Sequence, residues 1–274
     1  RIRTWALLAP VLLLPVLLSA AWTKVGAGLL GLLCFREFSR ATGLFRERSV
    51  TIPAYGAIVC LTLLNLVAAP GFLATAALLG SLVIVAGGVL PDRPEGYLQR
   101  TALGVLGFLL FGLCFAHLGL LVDHLGDGVI LVWLILCVCL NDVAAYLCGR
   151  LWGRRQLCPN TSPNKTIAGA LGALGCTALL AVGVGWGMGT PGGSLPVLLV
   201  IGLLCSLCGT LGDLVVSSIK RDLHIKDMSN ALPGHGGLLD RFDSLLLAAP
   251  AAYYVLLLVD RLAPWRDRAL ALLP

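Results

Sequence analysis

Long apolar runs, separated by short polar stretches, leave this chain one way to fold. A helix that crosses a bilayer needs roughly 20 mostly apolar residues. Runs of that kind fall at about 4–21, 25–42, 52–69, 71–90, 101–122, 127–148, 166–189, 194–217 and 243–260. No polar stretch between them exceeds about 25 residues, so no second, soluble domain is available. Of the 274 residues, 58% are hydrophobic and 12% charged, against ~45–50% and ~25% in an ordinary soluble domain. Soluble cores cannot absorb that much apolar surface. The sparse charge likewise excludes a disordered chain, a soluble nucleic-acid binder or a secreted disulfide scaffold. The expected fold is all-α: a polytopic membrane protein with about nine transmembrane helices.

In such a chain the rare charges carry the information. With nine spans, sixteen of the twenty Lys and Arg residues fall on the side that holds the N-terminus and the even-numbered loops. The positive-inside rule makes that side cytoplasmic, so the net charge of +6 reads as membrane orientation and not as affinity for nucleic acid. Arg1 and Arg3 before an apolar stretch, with Ser19-Ala20-Ala21 after it, also have the form of a signal peptide. We read the segment as a retained first span, preceded by a few further residues because the sequence opens on Arg. Nine of the ten cysteines lie inside apolar runs. The Cys205/Cys208 pair has C-x-x-C spacing but no second pair or His at zinc spacing, so it reads as small helix residues.

Polar residues gather in two stretches of the C-terminal half, both placed on the cytoplasmic side. The first joins spans six and seven and holds Asp142, Tyr146, Arg150, Ser162, Lys165 and Thr166. The second joins spans eight and nine and holds Asp213, Ser217, Lys220, Arg221, Lys226, Asp227, His235, Gly236, Gly237, Asp240, Arg241 and Asp243. A carboxylate within the last turns of a membrane span is costly unless paired or metal-bound, and Asp142 and Asp213 are both so placed. Asp240 and Asp243, three apart, share a helix face. Taken singly, Asp240 could cap the ninth helix and Asp142 could pair with an arginine. Taken together, the acids make an oxygen-rich site suited to a hard divalent cation such as Mg²⁺. Lys220, Arg221, Lys226 and His235 can meet phosphate oxygens, and the glycine-rich turn can aim backbone N–H groups at an anion. Metal-binding acids beside phosphate-binding cations describe phosphoryl or nucleotidyl transfer.

Residues 217–243, S-S-I-K-R-D-L-H-I-K-D-M-S-N-A-L-P-G-H-G-G-L-L-D-R-F-D, closely resemble the signature of phosphatidate cytidylyltransferases, the CDP-diacylglycerol synthases. D-V-A-A-Y-L-C-G-R and S-P-N-K-T upstream resemble the same family, as does the nine-span layout. The resemblance implies a membrane enzyme that joins CTP and phosphatidate, or a related lipid phosphate, to give CDP-diacylglycerol and pyrophosphate. It implies Mg²⁺, with K⁺ sharing the centre, and Asp213, Asp240 and Asp243 as metal ligands. Lys220, Arg221, Lys226 and His235 would hold phosphates, with Asp227 among the catalytic set. Asp142, Tyr146, Arg150, Ser162, Lys165, Thr166, Ser217, Gly236, Gly237 and Arg241 would line the substrate pocket. Residues 1–125 then form an N-terminal group of about five spans and 126–274 the catalytic membrane region. The setting would be a bacterial inner membrane with the site facing the cytoplasm, and the family suggests a homodimer. Two positions depart from the family pattern: Ala168 and Val216 stand where it usually has glutamate.

Three other readings follow from the same residues. A CTP-dependent polyprenol or lipid kinase would share substrates and setting. A relative that binds lipid or nucleotide without turnover would keep the pocket but lack the two glutamates. A transporter would also place acids in the membrane, although no inverted repeat is evident.

Overall fold

The computed structural model describes residues 14–67, 71–125, 128–187, 195–232 and 236–271, with side chains described except at 124–125, 260 and 262–271. Most of the first expected span and His235 therefore lie outside the described residues. Among the described residues ten α-helices have assigned bounds, in this order. They are α1 (Ala20–Ala41), α2 (Arg48–Val67), α3 (Phe72–Gly87), α4 (Tyr97–Gly107), α5 (Cys114–Leu125), α6 (Val129–Trp152), α7 (Ile167–Gly187), α8 (Leu195–Asp222), α9 (Leu239–Phe242) and α10 (Leu245–Ala271). A hairpin of β1 (Gln156–Cys158) and β2 (Ser162–Thr166) interrupts them.

The protein is an all-α, multi-pass membrane protein. Among the described residues six helical segments are long and apolar enough to cross a bilayer: Arg48–Val67, Tyr97–Asp123, Val129–Trp152, Ile167–Gly187, Leu195–Asp222 and Leu239–Val259. The expected span at 71–90 appears as α3, an apolar helix of only 16 residues. The expected span at 25–42 appears as the 22-residue α1, which carries Lys24, Arg36, Glu37 and Arg40.

Local chemistry sets the helix ends. Ser19 caps α1 by accepting the Trp22 amide at 3.4 Å, and Gly43, at φ +76°, turns the chain after Thr42 closes the helix. Arg100 is buried. Its guanidinium donates to the carbonyls of Glu95 (2.8 Å), Gly88 (3.0 Å) and Arg93, tying down the loop between α3 and α4. A π-helical turn, Phe108–Leu113, joins α4 to α5. It presses the Phe111 carbonyl onto Gly31 of α1, where any Cβ would collide.

Small residues allow close helix packing, as membrane helices require where no hydrophobic force drives them together. Gly202 of α8 lies on Ala178 and Ala181 of α7, and Gly169 of α7 lies on Gly149 of α6. Polar groups add cross-links between these helices. Trp133 Nε1 donates to the Ala181 carbonyl at 3.1 Å. The wholly buried Asn141 accepts from Thr177 (3.2 Å) and Ser206 (2.5 Å), so α6, α7 and α8 meet at one amide. Helix α10 packs against both α8 and α5; Tyr253 and Tyr254 lie against the His117 ring of α5 with centroids 5.5 and 5.3 Å away. Helix α10 thus joins α5 to α8.

Candidate active site

Both polar stretches arrive at one end of the bundle. The C-terminal parts of α6 and α8, the hairpin, the start of α7 and the α9–α10 junction surround a cavity of about 440 Å³. The stretch Ser162–Thr166 is the second strand of the hairpin, paired antiparallel with Gln156 opposite Thr166 and Cys158 opposite Ser162. Thr166 then caps α7, its hydroxyl accepting the Gly169 amide at 3.1 Å. That geometry turns Lys165 into the cavity. Arg221 Nε donates to the Thr161 carbonyl at 3.2 Å and so holds the hairpin against α8.

The cavity wall includes Asp142, Tyr146, Ser162, Lys165, Thr166, Asp213, Lys220, Asp227, Asp240, Arg241 and Asp243. Lys165 Nζ lies 2.6 Å from Asp213 Oδ2, and Ser217 donates to the other Asp213 oxygen at 3.0 Å. Lys220 Nζ lies 2.7 Å from Asp240 Oδ1. The second Asp240 oxygen accepts the Met228 and Gly237 amides, both at 2.9 Å. Asp243 accepts the Ser244 amide at 2.8 Å, and Ser244 Oγ reaches Asp142 Oδ2 at 3.4 Å. Asp142 and Asp243 each lie close enough to Asp213 to feel its charge. Gly212 makes the α8–α10 approach possible, since a Cβ there would meet the Asp243 carbonyl.

Other expected site residues stand back from the wall. Arg150 donates to the exposed Tyr146 hydroxyl at 3.4 Å. Ser217 and Arg221 act through Asp213 and the hairpin. Lys226 is exposed and is not part of the wall. Gly236 has φ +77°, and Gly237 supplies a backbone N–H to Asp240. Val216 is fully buried in the apolar core and Ala168 is half-buried, and neither contributes to the cavity wall.

The structure adds residues that the motifs did not mark. Leu157 and Thr210 also line the cavity, and Lys165 donates to the Thr210 carbonyl at 3.4 Å. Glu37, from α1, accepts from Ser229 at 2.7 Å and from the Leu238 and Leu239 amides at 2.9 Å each. Its signal in the sequence is a lone acid inside an apolar run, which reads as a helix reaching the membrane interface.

Among the described residues no three His, Cys, Asp or Glu side chains form a ready-made metal cage. Asp213 and Asp240 each have both oxygens engaged by protein donors. The donor set still fits Mg²⁺, which typically takes one or two carboxylates plus substrate phosphates. The described wall carries five acids, Asp142, Asp213, Asp227, Asp240 and Asp243, against three cations, Lys165, Lys220 and Arg241. This surplus of carboxyl groups over cationic groups suits the wall to a divalent cation that accompanies an anionic nucleotide.

The fold and the cavity are those of a multi-pass membrane protein with a charged site at one end of its helix bundle. The chain belongs to the cytidylyltransferase family, whose model matches residues 1–259. A phosphatidate cytidylyltransferase of Staphylococcus haemolyticus (strain JCSC1435) is 30% identical over 259 residues, 91% of this chain and 96% of that protein. One from Bacillus subtilis (strain 168) is 38% identical over 159 residues, 56% of this chain and 57% of that protein. The Escherichia coli (strain K12) protein called uncharacterized protein YnbB is 38% identical over 188 residues, 67% of this chain. The matched part spans 62% of that E. coli protein's length.

Proposed function

We propose that the protein transfers the cytidylyl group of CTP to phosphatidate, or a closely related lipid phosphate, releasing pyrophosphate and forming CDP-diacylglycerol. The observation that carries this reading is the cavity that joins Asp142, Asp213 and Asp243 to Lys165 and Lys220 at one end of a membrane bundle. Its family and the names of its relatives supply the nucleotide and the lipid. The distribution of Lys and Arg supports a cytoplasm-facing site in a bacterial inner membrane.

In this reading a lipid phosphate oxygen attacks the α-phosphorus of CTP, and the bond from that phosphorus to the bridging oxygen of pyrophosphate breaks. A phosphate monoester is largely a dianion near neutral pH, its second pKa being about 6, so it needs no general base. Lys165 and Lys220 stand where they can neutralise phosphate oxygens. Asp213 and Asp243, with Asp142 beside them, would hold Mg²⁺, which supplies charge neutralisation on the triphosphate. The hairpin and Thr166 fix Lys165, and the α8–α10 contact at Gly212 fixes Asp243 beside Asp213. Catalysis is then mainly positioning and electrostatics.

Purified protein given CTP, Mg²⁺ and a panel of lipid phosphates tests the reading. Pyrophosphate release that depends on phosphatidate supports it. Release with polyprenyl phosphate alone would move the substrate class. Tight CTP binding without any release would mark a binding protein.

A further inference from the structure

Glu37 is the sole acid of α1 and is 9% exposed. Among its described contacts are Ser229 Oγ at 2.7 Å on Oε1, the Leu238 amide at 2.9 Å on Oε1 and the Leu239 amide at 2.9 Å on Oε2. Those two amides stand at the start of α9, where helical N–H groups have no partner within the helix. Hydrogen bonds to an ionised carboxylate are roughly twice as strong as neutral ones. One side chain therefore fastens Ser229 and the helix start at Leu238–Leu239 to α1, about 200 residues earlier in the chain.

The adjoining glycines divide their work. Gly236 adopts φ +77°, which favours glycine for its backbone. Gly237 is not in that region, but a Cβ on it would come within 2.6 Å of Glu37 Oε2. Glycine at 237 is thus a condition of the Glu37 contact. From there the linkage runs to the cavity: the Gly237 and Met228 amides hold Asp240, and Asp240 holds Lys220.

We propose that Glu37 is a positioning residue for the transfer reaction, clamping Ser229 and the start of α9 so that Lys220 and Asp243 keep their places at the cavity wall. Its turnover arm rests on the cytidylyl-transfer reading, whereas its exchange arm needs no substrate. Glu37→Gln keeps the shape but sets an amide NH₂ against backbone N–H donors.

In lipid nanodiscs, full-length Glu37→Gln should show at least tenfold faster hydrogen exchange at Leu238 and Leu239, with α6 and α7 unchanged. Its kcat should fall about tenfold or more, as small misplacements at reacting groups do, while KM for CTP moves less than threefold. Glu37→Asp, which keeps the charge, should recover part of the kcat. Gly237→Ala should be costly in the native background and nearly silent when added to Glu37→Ala. If Glu37→Gln does not fold, Ser229→Ala, which removes one donor of three, should give the same pattern at two- to threefold. Unchanged exchange at Leu238 and Leu239 would overturn the proposal. So would a lowered thermal midpoint with native kcat, because that is the mark of a purely structural contact. A native protein that transfers nothing from CTP would sink the reading of function, and the exchange result would still judge the clamp.

Discussion

Lysine and aspartate pair at both ends of this bundle, with different consequences. At the end remote from the cavity, Lys24 Nζ meets Asp123 Oδ2 at 2.5 Å. Gly119 leaves room for the lysine stem, and Asn65 lies beside it, donating to the Ala116 carbonyl at 3.0 Å. One charge answers one charge, and α1 is fastened to α5. At the other end, Lys165–Asp213 and Lys220–Asp240 are equally short, at 2.6 and 2.7 Å. Asp142 and Asp243 stand beside them in the same wall, around a cavity. The geometry of a single pair does not separate anchor from active site. The surplus of carboxylate, and the space in front of it, does.

The largest effect expected from this contrast is that of cation removal. Chelating divalent cations should abolish pyrophosphate release, and added Mg²⁺ should restore it, because in the proposed site the cation neutralises the triphosphate. Asp213→Asn or Asp243→Asn should lower kcat by about 10²-fold or more. Asp123→Asn at the other end should leave kcat within about twofold, so the same substitution reads the two ends oppositely in one assay.

Lys220→Met should combine both kinds of damage. Activity falls, and Asp240, whose side chain is 4% exposed, is left buried without its cation at a cost of about 3–5 kcal/mol. Adding Asp240→Asn should regain most of the stability measured by denaturation but none of the activity. Gly212→Ala should push α10 off α8, costing about 1–3 kcal/mol by overpacking and about tenfold in kcat. Lys24→Met should be the mildest: Asp123 is 33% exposed on its side chain, so loss of the pair should cost about 1 kcal/mol. Turnover should not change, and a large kcat loss there would break the comparison.

Much of the site was legible because its residues are chemically out of place. Asp142, Asp213, Asp240 and Asp243 stand out against an apolar background, and all four reach the cavity. Their partners were less legible, because a side chain's neighbour across the bundle leaves no mark at fixed spacing. Asp240 accepts the Met228 and Gly237 amides and also faces the cavity, while the amides at the start of α9 go to Glu37. Glu37 was hidden by its neighbours Arg36 and Arg40, which made it look like an interfacial helix end. Asn141 was hidden by the aspartate that follows it. The hairpin could not be read either, since Ser-Pro-Asn-Lys-Thr has no alternating apolar pattern and its strand pairing is held from outside by Arg221. Helix count was least legible where charge and apolarity mix, as in α1.

The central claim is that the α-phosphate of CTP ends up on a lipid. CTP labelled at the α-phosphorus, and separately at the γ-phosphorus, should be given to the protein with Mg²⁺ and phosphatidate, and the extracted lipid counted. The account requires α-label in the lipid, γ-label in released pyrophosphate, and neither transfer with Asp213→Asn. Label reaching the lipid from the γ-position would contradict it and make the protein a kinase; label remaining wholly in CTP would remove the transfer reaction altogether.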